Sequence, residues 1–103
     1  MSEPVIRLFQ KGSFYQAKAS VVVVDEAGVA IKDVTVQGQW SLGEDQSVNI
    51  GKPVTGYTNG KGEAKLDSER FVETGTLYFT VTGIIIGGEP FPFENTEANI
   101  HVP

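Results

Sequence analysis

Apolar residues recur at every second position from Gln16 onward, and a two-residue period commits a chain to strands rather than helices. Ala17, Ala19, Val21 and Val23 fall on one face, and Lys18, Ser20, Val22 and Val24 on the other. Asp25, Glu26, Ala27 and Gly28 then reverse the chain, because Asp bonds its own backbone two residues on and Gly accepts the positive φ that closes such a turn. A second alternation follows, with Val34, Val36, Gly38 and Trp40 inward and Thr35, Gln37, Gln39 and Ser41 outward. Trp40 is the chain's single tryptophan and sits mid-strand, where its ring can span the gap of about 10 Å between packed sheets.

Further along, the polar run LGEDQSVNIGK (42–52) reads as a loop, and PVTGYT (53–58) as a short edge strand introduced by proline. NGKG (59–62) predicts a tight hairpin with Asn59 and Gly60 at its centre, both at positive φ, and with Gly62 in a turn position as well. EAKLDS (63–68) turns Ala64 and Leu66 inward. TLYFTVTGI (76–84) sets Leu77, Phe79 and Val81 against Tyr78, Thr80 and Thr82. Past a Gly-Gly break and a Pro-rich bend, a last strand turns Ala98, Ile100 and Val102 inward. No segment sustains a helical period. Short strands with regular turn signals and one-sided apolar faces point to an all-β, antiparallel two-sheet sandwich rather than a barrel.

The 103 residues suit one domain, 1–103. Cysteine is absent, which excludes disulfides, thiolate metal sites and thiol nucleophiles. A formal charge of -5 is the wrong sign for neutralising the phosphates of nucleic acid or an anionic membrane surface. No apolar run approaches the ~18 to 20 residues that span a bilayer, so membrane insertion is not expected and a soluble protein is. The start, MSEPVIRLFQKGS, shows no basic leader with an apolar core. It fits either a cytosolic protein or a segment of a longer secreted chain.

VVDEAGVAIKDVTVQGQWS, TGYTNGKGEAKL and TLYFTVTGI together resemble the bacterial immunoglobulin-like domains that accompany secreted enzymes and surface adhesins. Asp25 and Gly28 match the first turn of that family, Gly38 and Trp40 its Gly-x-Trp, Gly62 its second turn, and Thr80 to Gly83 its late strand. Ala30, Asp33, Val34 and Asn59 depart from it, where the family has Pro, Gly-Ala and Asp. The resemblance implies an immunoglobulin-like β-sandwich of about seven strands. It also implies an extracellular or cell-surface location and a non-catalytic accessory role, as a spacer or docking module whose partners are the neighbouring domains of its parent chain. As an isolated domain the chain is expected to be a monomer. Two other functions stay open: a carbohydrate-binding module using outward aromatics, and an adhesion module recognising a protein ligand through a sheet edge.

The chemistry of the side chains adds little to these. His101 is the only histidine and lies on an outward phase near the end, with no sign of a nucleophile and a carboxylate beside it. Glu63, Lys65 and Asp67 read as a solvated strand face. Asp25, Glu26 and Asp33, with Asn59 or Asp67, are the residues from which a calcium site would be built, but their spacing is not that of a calcium loop. No phosphate loop occurs, so nucleotide binding is not expected, and neither cofactor nor catalytic residue is assigned. Trp40 and Phe79 are assigned to the core, and Gly28 and Gly62 to turns at positive φ. Tyr15, Tyr57 and Tyr78 are the candidate ligand platform, with Phe14, Phe71, Phe91 and Phe93 at breaks or strand ends. EAKLDS intervenes between the strands of Tyr57 and Tyr78, and alternation of strands between sheets is expected to put these two on opposite sides.

Overall fold

The computed structural model of the protein describes residues 4–43, 45–46, 48–93 and 96–103. Glu44 and Ser47 of the loop expected over 42–52, Glu94 and Asn95 of the Pro-rich bend, and residues 1–3 lie outside the described residues. Within them the chain forms nine strands: β1 (Val5–Lys11), β2 (Phe14–Val22), β3 (Thr35–Leu42), β4 (Val48–Asn49), β5 (Val54–Tyr57), β6 (Glu63–Asp67), β7 (Gly75–Ile86), β8 (Glu89–Pro90) and β9 (Thr96–Val102). All pairings are antiparallel. One sheet has the order β1-β2-β6. The other is built on the β3–β7 pair, with β4 and β5 on the free edge of β3 and β8 and β9 on that of β7.

The alternation does what its period predicts. Ala17, Ala19, Val21 and Val23 are buried, as are Val34, Val36, Trp40, Ala64, Leu66, Leu77, Phe79 and Val81, and all join one core. Trp40 and Phe79 oppose each other across β3 and β7, with ring centroids 4.8 Å apart and planes at 56°, a tilted arrangement that aromatic quadrupoles favour. Trp40 is wholly buried, and its indole Nε1 has no hydrogen-bond partner among the described residues, so the ring serves as apolar filling rather than as a polar anchor. The glycine of Gly-x-Trp has a packing cause. A Cβ at Gly38 would strike the Phe79 ring, so only glycine lets that ring lie flat across the strand.

Two expected strand bounds need correction. The first strand does not begin at Gln16: β1 precedes it, pairing along its whole length with β2, which starts at Phe14. Second, β7 does not stop at Ile84. Its register with β3 passes from Gly38↔Val81 to Gln37↔Gly83, leaving Thr82 unopposed. This bulge shifts the phase by one residue, so Ile84 takes the buried side after Leu77, Phe79 and Val81, and the strand runs on to Ile86.

The molecule measures 42 × 25 × 21 Å, and β7, at about 3.3 Å per residue, runs most of the long dimension. Strand directions define two poles. Residues 23–34, 58–62 and the Gly87-Gly88 turn gather at one, together with the start of β1, where Val5 pairs with Ser20. At the other lie the β1–β2 turn, the start of β7, and Val102, which pairs with Gly75. The described chain therefore begins at one pole and ends at the other.

The first pole holds the same five-residue turn twice. Asp25 Oδ1 accepts the N–H groups of Ala27 and Val29, both at 2.9 Å, and Gly28 N–H donates to the Asp25 carbonyl at 2.9 Å. Asn59 Oδ1 accepts those of Lys61 and Glu63 at 2.9 and 3.1 Å, and Gly62 N–H donates to the Asn59 carbonyl at 2.9 Å. Gly28 and Gly62 sit at φ +80° and +73°, as expected. Asn59 and Gly60 are not at positive φ, which corrects the expected two-residue hairpin. Asn59 instead occupies the first position of a type I turn, where its side chain bonds the backbone ahead of it, and Gly62 supplies the left-handed closing residue.

Candidate functional site

The three tyrosines do not converge. Tyr57, on β5, is 67% exposed and pairs with Thr35; Tyr78, on β7, is half-buried and lies opposite Ser41 and Asn99. Since β5 and β7 flank β3, both rings belong to the same outer face of the six-stranded sheet, contrary to the expectation of opposite sides. The chain does cross to the other sheet for β6, but it crosses back for β7, and the two crossings cancel. Ser41 lies six positions along β3 from Thr35, so the tyrosines stand about 20 Å apart along the strands. Between them lie Gln37, Gln39 and Thr80. Gln46 closes over the middle of this face, its Nε2 donating to Glu97 Oε2 at 3.0 Å and its Oε1 accepting from the Thr80 hydroxyl at 3.4 Å.

Tyr15 is at the far pole. Its backbone exchanges two hydrogen bonds with Phe71 at 2.7 and 2.9 Å, its ring tilts against Phe71 at 5.9 Å, and its hydroxyl donates to the Pro103 carbonyl at 3.4 Å. These contacts secure the start of β2 to the last residue of the chain. His101 is exposed on the outer side of β9, opposite Thr76. Asp25 and Asn59 each turn their Oδ1 to the backbone of their own turn, and Asp67 lies 3.8 Å from Lys18, its neighbour in the three-stranded sheet. Among the described residues no three His, Asp or Glu side chains come together as metal ligands.

A surface that the sequence reading did not assemble lies on the outer face of the three-stranded sheet. The register aligns Arg7 with Lys18 and Asp67, Phe9 with Gln16, Lys11 with Phe14, and Ser20 with Lys65. Phe9 and Phe14 are 43% and 44% exposed. Phe9, Lys11, Gln16, Lys18 and Asp67 line a shallow groove there. The strands of the six-stranded sheet contain no Lys or Arg, whereas β1, β2 and β6 carry Arg7, Lys11, Lys18 and Lys65. Only Asp67 and Glu63 make ion pairs with this cationic set among the described residues, at 3.8 and 3.7 Å, in exposed positions where such pairs add little stability. The signal was present as Arg7, Phe9 and Lys11 at alternate positions, but it becomes a surface only once β1 pairs with β2.

Compared with protein-family models, with curated proteins and with solved structures, the chain shows no match.

Proposed function

We propose that this domain is a non-catalytic, immunoglobulin-like accessory module of a secreted or surface bacterial protein, acting as a spacer or docking element between neighbouring domains. Strand order supports the fold part of this reading. Without the two-residue β4 and β8, seven strands remain, and lettered A to G in chain order they form A-B-E against D-C-F-G. An immunoglobulin constant-type sandwich sets A-B-E-D against C-F-G, so only the fourth strand, β5, has moved, from the edge of E to the edge of C. The observation that carries the role is the placement of Val5 and Val102, near the two ends of the described residues, at opposite poles of a 42 Å body. A module strung between neighbours in this way holds them apart by its own length. The test is fractionation of the source cells with detection by an antibody raised against the domain. Signal in the medium or on the cell surface, in a polypeptide longer than this one, is expected; a free cytosolic product of 11.1 kDa would end the reading.

The groove beside Phe9 favours a second reading, a carbohydrate-binding module whose site is not the tyrosines. Lys11 and Lys18 around an exposed ring suit an acidic sugar polymer, the ring stacking and the ammonium groups pairing with carboxylates. Calorimetric titration with uronic-acid oligosaccharides distinguishes the two. Saturable heat that is lost on Phe9→Ala favours binding, and its absence favours the spacer.

A further inference from the structure

Gly60 has no conformational reason to be glycine. Its φ is not positive, a Cβ added there meets no atom within 4 Å, and the corresponding position of the twin turn is filled by Glu26. What glycine does change is the chemistry of the residue before it. Asn59-Gly60 is the only Asn-Gly pair in the chain, it is exposed at the tip of a turn, and a residue without Cβ leaves its backbone nitrogen open to the preceding side chain.

We propose that Asn59 is a site of spontaneous covalent modification, deamidating through a succinimide closed by Gly60. The Gly60 backbone nitrogen, its proton given to solvent base, attacks Asn59 Cγ. As the new N–C bond forms, the bond from Cγ to the side-chain nitrogen breaks, and that nitrogen leaves as ammonia after taking a proton from water. Water then opens the ring at one of two carbonyls. Opening at Cγ leaves Asp at 59 on an unchanged main chain. Opening at the main-chain carbonyl leaves an isoaspartyl link, with the chain routed through the former side chain.

The fold treats the two products differently, and its own twin turn shows why. Asp25 already performs, as an aspartate, the role that Asp at 59 inherits, accepting two N–H groups at 2.9 Å. Asp at 59 therefore keeps the turn and adds one negative charge to the first pole. The isoaspartyl form lengthens the main chain by one atom and loses the side-chain acceptor for Lys61 and Glu63. It also displaces Gly62, whose carbonyl accepts Val23 N–H at 2.8 Å, so the disturbance reaches the β2–β3 crossing.

The purified domain, held at mildly alkaline pH and sampled over weeks, tests this by peptide mapping with mass spectrometry and enzymatic labelling of isoaspartate. The amide-to-acid mass gain should concentrate in the peptide carrying Asn59, ahead of those carrying Asn49 and Asn99. Gly60→Ala should slow it by an order of magnitude, because the added methyl shields the attacking nitrogen while the turn persists. Asn59→Asp should keep the melting temperature of the parent and the exchange protection of the Lys61 and Glu63 amides. Conversion at Asn59 no faster than at Asn99, or unchanged in Gly60→Ala, would overturn the proposal, and a collapse of the Asn59→Asp domain would refute the equivalence of the two turns.

Discussion

The Asp25 turn and the Asn59 turn share their hydrogen bonds but not their surroundings. The first lies at the tip of the β2–β3 crossing, closing only the isolated bridge Val24↔Ala30, and a Cβ at Gly28 would meet nothing within 4 Å. The second joins the two sheets. Thr58 before it extends the pairing with β3, Glu63 after it opens β6 against β2, and a Cβ at Gly62 would press on the Val23 carbonyl and the Ala30 side chain. Local chemistry made the same turn in both places, so tertiary position must decide how much each contributes to stability.

The largest test is the glycine pair. Gly28→Ala bears only the left-handed penalty of about 1 to 2 kcal/mol. Gly62→Ala adds to that penalty an overpacking cost of about 1 to 3 kcal/mol, since backbone cannot yield as a flexible side chain would. Urea denaturation of both variants should rank them in that order, and equal losses would mean that the second turn is as free as the first.

Next is Thr58, which links the two regions. Its hydroxyl donates to Ile31 O at 2.6 Å and accepts Val34 N–H at 2.9 Å from within a buried site. Thr58→Val keeps the shape and strands both partners, so a loss of about 1 to 3 kcal/mol is expected from equilibrium unfolding. A loss no larger than that of an ordinary surface substitution, about 0.5 kcal/mol, would show the turns to be independent.

How much of this was legible follows from the range of each interaction. Asp or Asn followed three residues on by Gly is a local signal, and it located the positive-φ glycine of each turn, Gly28 and Gly62. The local alternation likewise placed Trp40, Phe79 and the valines of β3 in the core. The Asn59 turn was mistyped because Asn-Gly is also the centre of the two-residue hairpin, and only the spacing to Gly62 separates the two. Thr58 was invisible, since its bonds reach 24 and 27 residues back. The same holds for β1, an edge strand with apolar residues on both faces, and for Tyr57 and Tyr78, whose common face depends on two sheet crossings that no local pattern records.

A smaller effect probes the two capping side chains. Asp25→Ala and Asn59→Ala each remove an acceptor from two backbone N–H groups in exposed turns, where water replaces part of the loss, so about 0.5 to 1.5 kcal/mol is expected from each. Asp25→Asn should be nearly neutral, because Asn59 shows that an amide oxygen closes the turn equally well. Thermal melts resolve the contrast, and a large loss on Asp25→Asn would mean that the charge, not the oxygen, holds the first turn.

The smallest test concerns the one position where the turns differ without a structural cause. Glu26 and Gly60 follow the capping residue at equivalent places, and neither turn requires positive φ there. Glycine leaves the unfolded chain more freedom to lose on folding, so Gly60→Ala should raise stability by about 0.4 to 1 kcal/mol, and Glu26→Gly should lower it by a similar amount. The effect resides in the unfolded state, and no contact in the folded structure reports it. Matched denaturation curves with unchanged m-values would show a change in stability with no change in the surface exposed on unfolding. If Gly60→Ala instead destabilised the domain, its backbone would have to differ from that of Glu26, and the two turns would no longer be one motif used twice.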